Sequence, residues 1–459
     1  MIPTTNFNVD KRPAVSVSFR LPLTLESVKK EYLEAKKVEN FRKFFKDLCR
    51  QQLNITAPND SYTRWVFSQR FNGLQPGLDP FFPNIKAIVN ENVIRDQLYD
   101  MIPSRLTMGW KEADADLIRK FYLKACSNFL YYADGNRKIV AKINKLKNII
   151  SNSTDQQAKN NSWKQELEIL KNDMKDTLIM PYINTVLEDT YDYINKVQQK
   201  PLPNLQIDLS SLKYENEKII FYDDVLDCSL GHFDKLQQLF TITNPDITNK
   251  SQLYIAIYLL FRRYATLFGD NEGVTFHAAA PPKSFQEMFY DFDVQMEMFG
   301  SPLNCHFSNY CSAFPDIDSW FGSCGTFQDF IKTPNLSGSF EAGPPYTIEV
   351  MDQAANLILE TLENSSNPLS FIYFVPEWRD PLAHYHDILD NHKFNRSMVV
   401  LKGKDYHYVV GDQHRKGSKL FILPMNTVIY FLQNDAGAMM YPTTSEKIEC
   451  FKLMFQKDN

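Results

Sequence analysis

Apolar residues recur every three or four positions through most of the first 200 residues, the interval at which a helix turns one face toward a core. Residues 23 to about 52 show it in Leu25, Val28, Tyr32, Ala35, Phe41, Phe44, Phe45 and Leu48, with Thr24 and Ser27 as candidate caps. The stretch 54–84 is richer in Pro, Asn and Gly but holds Trp65, Phe67, Phe71, Phe81 and Phe82, which predicts an ordered connection. Helical spacing returns at 85–101 and 111–132. It continues through a Lys-, Asn- and Gln-rich region to about 199, as long helices joined by an exposed loop at 151–162. The pattern predicts an all-helical domain over residues 1–200.

The texture changes at Pro201-Leu202-Pro203-Asn204, a boundary signal. Beyond it, 218–222 reads as a strand and 253–267 as a buried helix. Strand signals follow at 274–277, 302–307, 338–342, 369–375, 398–401, 406–410 and 426–432, with helices expected at 284–299, 348–363 and 445–455. Strands alternating with helices predict a mostly parallel sheet covered on both faces, an α/β domain over 201–459.

Composition narrows the chemistry. The chain has 459 residues, 44% of them hydrophobic and 14% aromatic, which marks a folded protein rather than a disordered one. A formal net charge of −5 gives no overall basic field, so any nucleic-acid contact has to come from a local patch. The longest apolar run, 253–261, is too short to span a bilayer and is closed by Arg262 and Arg263, so no membrane partner is expected. Seven scattered cysteines read as reduced thiols, and Met1-Ile2-Pro3-Thr4-Thr5 is not a basic-then-apolar leader. The expectation is an intracellular protein of the nucleus, the cytoplasm or a viral factory. Cys305, His306, Cys311 and Cys324 fit no zinc spacing, and the histidines from His384 to His414 are equally loose, so no metal is expected. Neither a Gly-x-Gly-x-x-Gly turn nor a Gly-x-Ser-x-Gly elbow follows any strand.

One stretch carries chemistry. Gly338-Ser339-Phe340-Glu341-Ala342-Gly343-Pro344-Pro345-Tyr346 reads as a strand running into a rigid loop, with a helix directly after it. Two consecutive prolines fix their own φ and lack N–H groups, so the backbone leaves the sheet there with carbonyls able to accept hydrogen bonds. A loop of the form X-Pro-Pro-aromatic suits methyl transfer to an amine. A proline carbonyl and a side chain at X hold the amine so that its lone pair faces the donor, and the ring stacks on the base. Here X is Gly343, which has no side-chain acceptor, and the same letters also spell an ordinary turn.

Several blocks of the second half resemble the phosphorylated-CTD-interacting-factor family, the cap-specific adenosine-N6 methyltransferases. They are Ser301-Pro302-Leu303-Asn304-Cys305-His306-Phe307, Tyr310-Cys311-Ser312-Ala313-Phe314-Pro315-Asp316, Phe321-Gly322-Ser323, the Gly338 stretch, Leu369-Ser370-Phe371-Ile372 with Pro376-Glu377-Trp378-Arg379, and Phe431-Leu432-Gln433-Asn434-Asp435. The resemblance covers roughly residues 270–440 well. It implies a Rossmann-like class I methyltransferase domain that uses S-adenosylmethionine to methylate the 6-amino group of the adenosine beside an mRNA cap. The helical domain would help form the groove for capped RNA.

By position, the resemblance makes Gly343, Pro344, Pro345 and Tyr346 the catalytic loop, and Asn304, Phe340, Glu341 and Ala342 the candidate cofactor contacts. Glu377, Trp378, Arg379, Arg262 and Arg263 become candidate substrate contacts, and Arg64, Arg70, Arg105, Lys111, Lys393 and Arg396 are further basic candidates for the groove. The family's loop is Asn-Pro-Pro-Phe, so Gly343 and Tyr346 are departures. No tryptophan pair of the kind that binds phosphorylated polymerase tails is present. A second reading is a catalytically silent relative that binds capped RNA or scaffolds a partner subunit.

Overall fold

The computed structural model describes residues 20–53, 57, 61–71, 79–83, 180–269, 276–378, 384–416 and 419–456. The chain divides into two compact units, one of residues 1–36, 66–81 and 202–459, the other of 37–65 and 82–201. Helices span Leu25–Leu53, Ser61–Phe71 and Met180–Gln199. Thr24 caps the first of these, its Oγ1 accepting from the Ser27 N–H at 3.2 Å. The helix Ser61–Phe71 lies where only a connection is expected, because its buried face of Tyr62, Trp65 and Val66 is embedded among polar residues. The helices expected at 85–101 and 111–132 and the loop at 151–162 lie outside the described residues. In the second unit, Phe41, Phe45, Tyr62, Trp65, Phe82, Ile183 and Leu187 are buried together, and Phe44 stacks on Tyr193 at 4.1 Å between centroids.

The larger unit is mixed α/β. Strands β1 (Leu212–Glu215), β2 (Lys218–Phe221) and β3 (Asp224–Asp227) form an antiparallel meander of their own. The strand expected at 218–222 therefore exists but stands outside the main sheet. The helix Lys250–Phe268 is buried along almost its whole length, as its apolar run requires.

The main sheet has β4 (Val294–Gly300), β5 (Tyr310–Ser312), β6 (Gly338–Ala342), β7 (Leu369–Pro376), β8 (Asn395–Leu401) and, later in the chain, β11 (Thr427–Gln433). Its order is β5-β4-β6-β7-β11-β8. Neighbours from β5 to β7 run parallel, whereas β11 is antiparallel to both β7 and β8, so the sheet is mixed rather than uniformly parallel. Strands β7 and β11 are buried at every position, which explains their unbroken apolar sequences. Short strands β9 (His407–Val409) and β10 (Leu420–Ile422) pair separately.

Three sequence expectations fail here, wholly or in part. The helix expected over 284–299 stops at Phe292, and β4 begins at Val294. Asp293 takes a left-handed conformation, φ 53°, which ends the helix, and Val294, Met296 and Met298 then alternate as strand residues do. Residues 302–307 form turns instead of a strand, their backbone bound up with Ser301. Of the strand expected at 274–277, Phe276 and His277 lie in a turn and the rest lies outside the described residues.

The block Gln433-Asn434-Asp435 has a structural task. The Asn434 Oδ1 accepts from the N–H groups of Gly437 (2.8 Å) and Leu369 (3.2 Å), while its Nδ2 donates to the carbonyls of Ser365 and Asn367. One side chain thus caps a helix and fastens it to the start of β7. Gly437 packs so closely there that an added Cβ would lie 2.0 Å from the Leu369 carbonyl oxygen.

A cleft at the sheet's switch point

From the neighbouring strands β4 and β6 the chain departs in opposite directions, to β5 on one side and to β7 on the other. At such a point the two loops diverge and leave a crevice beyond the carboxyl ends of the strands. The loop Gly343-Pro344-Pro345-Tyr346 lies at that end of β6, and the helix Ile348–Asn364 follows it, as the sequence predicts.

Two cavities adjoin this loop. One is lined by Tyr264, Met298, Phe299, Asn304, Thr326 and Gly343 among others. The second includes Glu297, Glu341, Pro344, Tyr346, Phe374 and Tyr408. Phe299, Asn304, Gly343 and Pro345 border both. Among the described residues lining them there is no Lys or Arg. Their lining combines aromatic faces with carboxyl and carbonyl acceptors.

The loop presents its acceptors unevenly. The Pro345 carbonyl accepts from the Thr347 N–H at 2.6 Å, while among the described residues no hydrogen bond reaches the Pro344 carbonyl. Tyr346 is half-buried, edge-on to Trp378 at 6.1 Å, with its hydroxyl 3.5 Å from that of Tyr408.

The expected site residues separate by strand face. Asn304 borders both cavities, its Oδ1 accepting from the Ser301 hydroxyl at 2.8 Å and its Nδ2 donating to the His277 carbonyl. It sits in the loop after β4, not at the end of a second strand. Glu341 lines the second cavity. Phe340 packs instead on Phe330 and Phe371, and neither it nor the fully buried Ala342 lines either cavity. Glu377 is half-buried and accepts from the Asn426 Nδ2 at 2.8 Å; Arg379 lies outside the described residues.

Arg262 and Arg263 are only 7% and 2% exposed. Arg262 pairs with Asp224 at 2.9 Å. Arg263 grips Glu31 through two nitrogens, at 2.6 and 3.0 Å, reaches Asp316 at 3.2 Å, and lies over the rings of Phe81 and Phe314. Their charge is satisfied inside the fold, so they hold the helix Lys250–Phe268 in place rather than meeting RNA phosphates.

Sequence reasoning missed Glu297 and His277. Glu297 interrupts the apolar alternation of β4 and accepts from the His306 and Phe307 N–H groups, both at 2.7 Å. Burial pushes its carboxyl up to about 7. A lone Glu among Met296 and Met298 was the available signal. His277 is buried against Tyr264 and Phe268 with its Nδ1 unpartnered among the described residues, and burial pushes it down to about 3. The described residues hold no cluster of three or more His, Cys, Asp or Glu suited to a metal ion.

A mixed sheet with a crevice at its switch point and a diproline loop beside that crevice define an α/β domain with one cleft at the carboxyl end of its parallel strands. Residues 235–411 match the family model described as phosphorylated CTD interacting factor 1 WW domain. The matched span carries β4 to β9, and its tryptophans, Trp320 and Trp378, are far apart in sequence. The chain is 27% identical over 472 aligned residues to the human mRNA (2'-O-methyladenosine-N(6)-)-methyltransferase and 28% identical over 480 to the Mus musculus protein of that name. Each match covers 91% of this chain, which spans 65% of the length of each relative.

Proposed function

We propose that the protein is an S-adenosylmethionine-dependent methyltransferase acting on the N6 amine of the adenosine beside an mRNA cap. The names of its relatives supply the substrate class. The observation that carries the reading on this chain is the Pro344 carbonyl, unpaired among the described residues, next to Tyr346 at the crevice between β4 and β6. The sheet supports a Rossmann-like class I reading, with parallel strands split at one switch point and β11 inserted antiparallel beside β7. On this reading the protein acts in the nucleus or cytoplasm.

The residues present fit the cofactor. Asn304, Phe299 and Gly343 border both cavities, which puts an amide, an aromatic face and backbone where the two adjoin. S-adenosylmethionine, if held there, would supply an electrophilic methyl group for the amine nitrogen. This chain's part is to hold the amine. The Pro344 carbonyl accepts one N–H, the Tyr346 ring offers a stacking face, and the aromatic lining keeps water from competing.

The test is direct. Labelled cofactor is incubated with RNA whose cap is followed by 2'-O-methyladenosine or by guanosine. Methyl incorporation into the adenosine RNA alone is expected; none in either would leave a silent relative that binds capped RNA or scaffolds a partner subunit.

A further inference from the structure

The loop of this chain lacks the side chain that would give the amine its second acceptor, and the structure shows what fills that space. A Cβ built on Gly343 would lie 2.7 Å from the Glu341 Oε1, with no other side-chain atom nearer than 3.8 Å. Glu341 and Gly343 are two residues apart at the end of β6, so they address the same face. The Glu341 carboxyl therefore occupies the volume that a side chain at 343 would take.

Glu341 is only 7% exposed, lines the second cavity, and makes no hydrogen bond among the described residues. A carboxyl that opens on a cavity with no protein donor has acceptor capacity for a donor that arrives with a ligand. Pro344, whose carbonyl is equally unpaired among the described residues, borders the same cavity. Two acceptors with no hydrogen bond among the described residues thus border one cavity together with the Tyr346 ring, and an exocyclic amine has two N–H donors.

We infer that the Glu341 carboxyl is the second amine acceptor, standing in for the side chain absent at Gly343 and positioning the amine together with the Pro344 carbonyl. This rests on the methyltransferase reading and changes the expected role of Glu341 from cofactor contact to substrate contact. Burial and the neighbouring Glu297 hold the Glu341 carboxyl well above the usual carboxylate range. A neutral carboxyl has a carbonyl oxygen that accepts as an amide's does, without setting a second negative charge beside Glu297.

The experiment compares wild type with Glu341→Met, which keeps the volume and removes both oxygens, Glu341→Ala, Glu341→Gln, and Glu341→Ala combined with Gly343→Asn. Two readouts are taken. The first is affinity, with S-adenosylhomocysteine present, for capped RNA starting with 2'-O-methyladenosine against the same RNA starting with 2'-O-methylpurine riboside, which lacks the amine. The second is kcat. Wild type is expected to favour the amine by about tenfold, with Glu341→Met and Glu341→Ala near parity and about 100-fold slower. Cofactor affinity should be unchanged in both. Glu341→Gln should retain most of both readouts, and Gly343→Asn in the Glu341→Ala background should recover at least part.

Undiminished amine preference in Glu341→Met and Glu341→Ala overturns the assignment, as does loss of cofactor affinity with the preference intact. Should the wild type favour the amine yet transfer no methyl, the methyltransferase reading fails and the acceptor assignment stands. A wild type indifferent to the amine in both assays removes both.

Discussion

Glu297 on β4 and Glu341 on β6 are direct register partners, so two carboxyl groups are set side by side on parallel strands at the rim of one cavity. Like charges that close in a buried place repel, and both groups are held above the usual carboxylate range, chiefly by burial. Among the described residues only Glu297 of the two has backbone donors, from His306 and Phe307. One carboxyl is thereby fixed by the fold, and its neighbour is left with acceptor capacity for a ligand.

Glu297 makes stability depend on pH. Its ordinary value of 4.5 rises to about 7 on folding. The folded state thus binds the proton more tightly, and the stability from this group is complete below about 4.5 and lost as pH rises through 7. Glu297→Gln keeps an oxygen for both backbone donors and removes the charge. The variant should gain on the order of 3 kcal/mol over wild type at pH 8 and little at pH 4, read from urea unfolding at each pH. Asp318, also pushed up to about 7 by burial, remains in both proteins and cancels from the comparison.

Arg263 should matter for folding and not for RNA. Replacing it with Met leaves Glu31 and Asp316 without their guanidinium partner, a loss of about 3–5 kcal/mol for a buried pair. The salt dependence of RNA binding, measured on the folded fraction, should keep its wild-type slope; a slope reduced by about one would mean a phosphate contact.

Tyr346→Phe keeps the ring and should change capped-RNA KM by less than about threefold, whereas Tyr346→Ala removes the stacking face and should weaken binding by about 1–3 kcal/mol. Steady-state kinetics with varied RNA tests both. Equal effects of the two substitutions would place the importance in the hydroxyl shared with Tyr408.

Asn434→Ala removes four hydrogen bonds that join a helix start to β7, and should lower stability by about 3 kcal/mol with cofactor affinity intact. Thermal unfolding together with calorimetric cofactor titration checks the pair of outcomes.

Much of the fold could be read locally. Unbroken apolar runs marked β7 and β11, two prolines forced the chain out of β6, and the spacing from Ile348 to Leu362 gave the helix after the loop. Each of those signals lies within one element, because steric limits on φ and the side-chain periods of helix and strand act between near neighbours. Where one helical period ran into a strand period, at Asp293, the boundary was lost.

What the chain's letters determined, then, was a strand, a rigid acceptor-bearing loop and a helix, with a glycine where an acceptor belongs. The tertiary structure alone decided that Phe340 turns away while Glu341 faces the cavity, that Arg262 and Arg263 are paired inside, and that Glu297 adjoins Glu341 across two strands. Those outcomes depend on register and crossover between segments tens to hundreds of residues apart. No local period encodes which residue of a distant strand will stand in register beside a given side chain, as Glu297 stands beside Glu341.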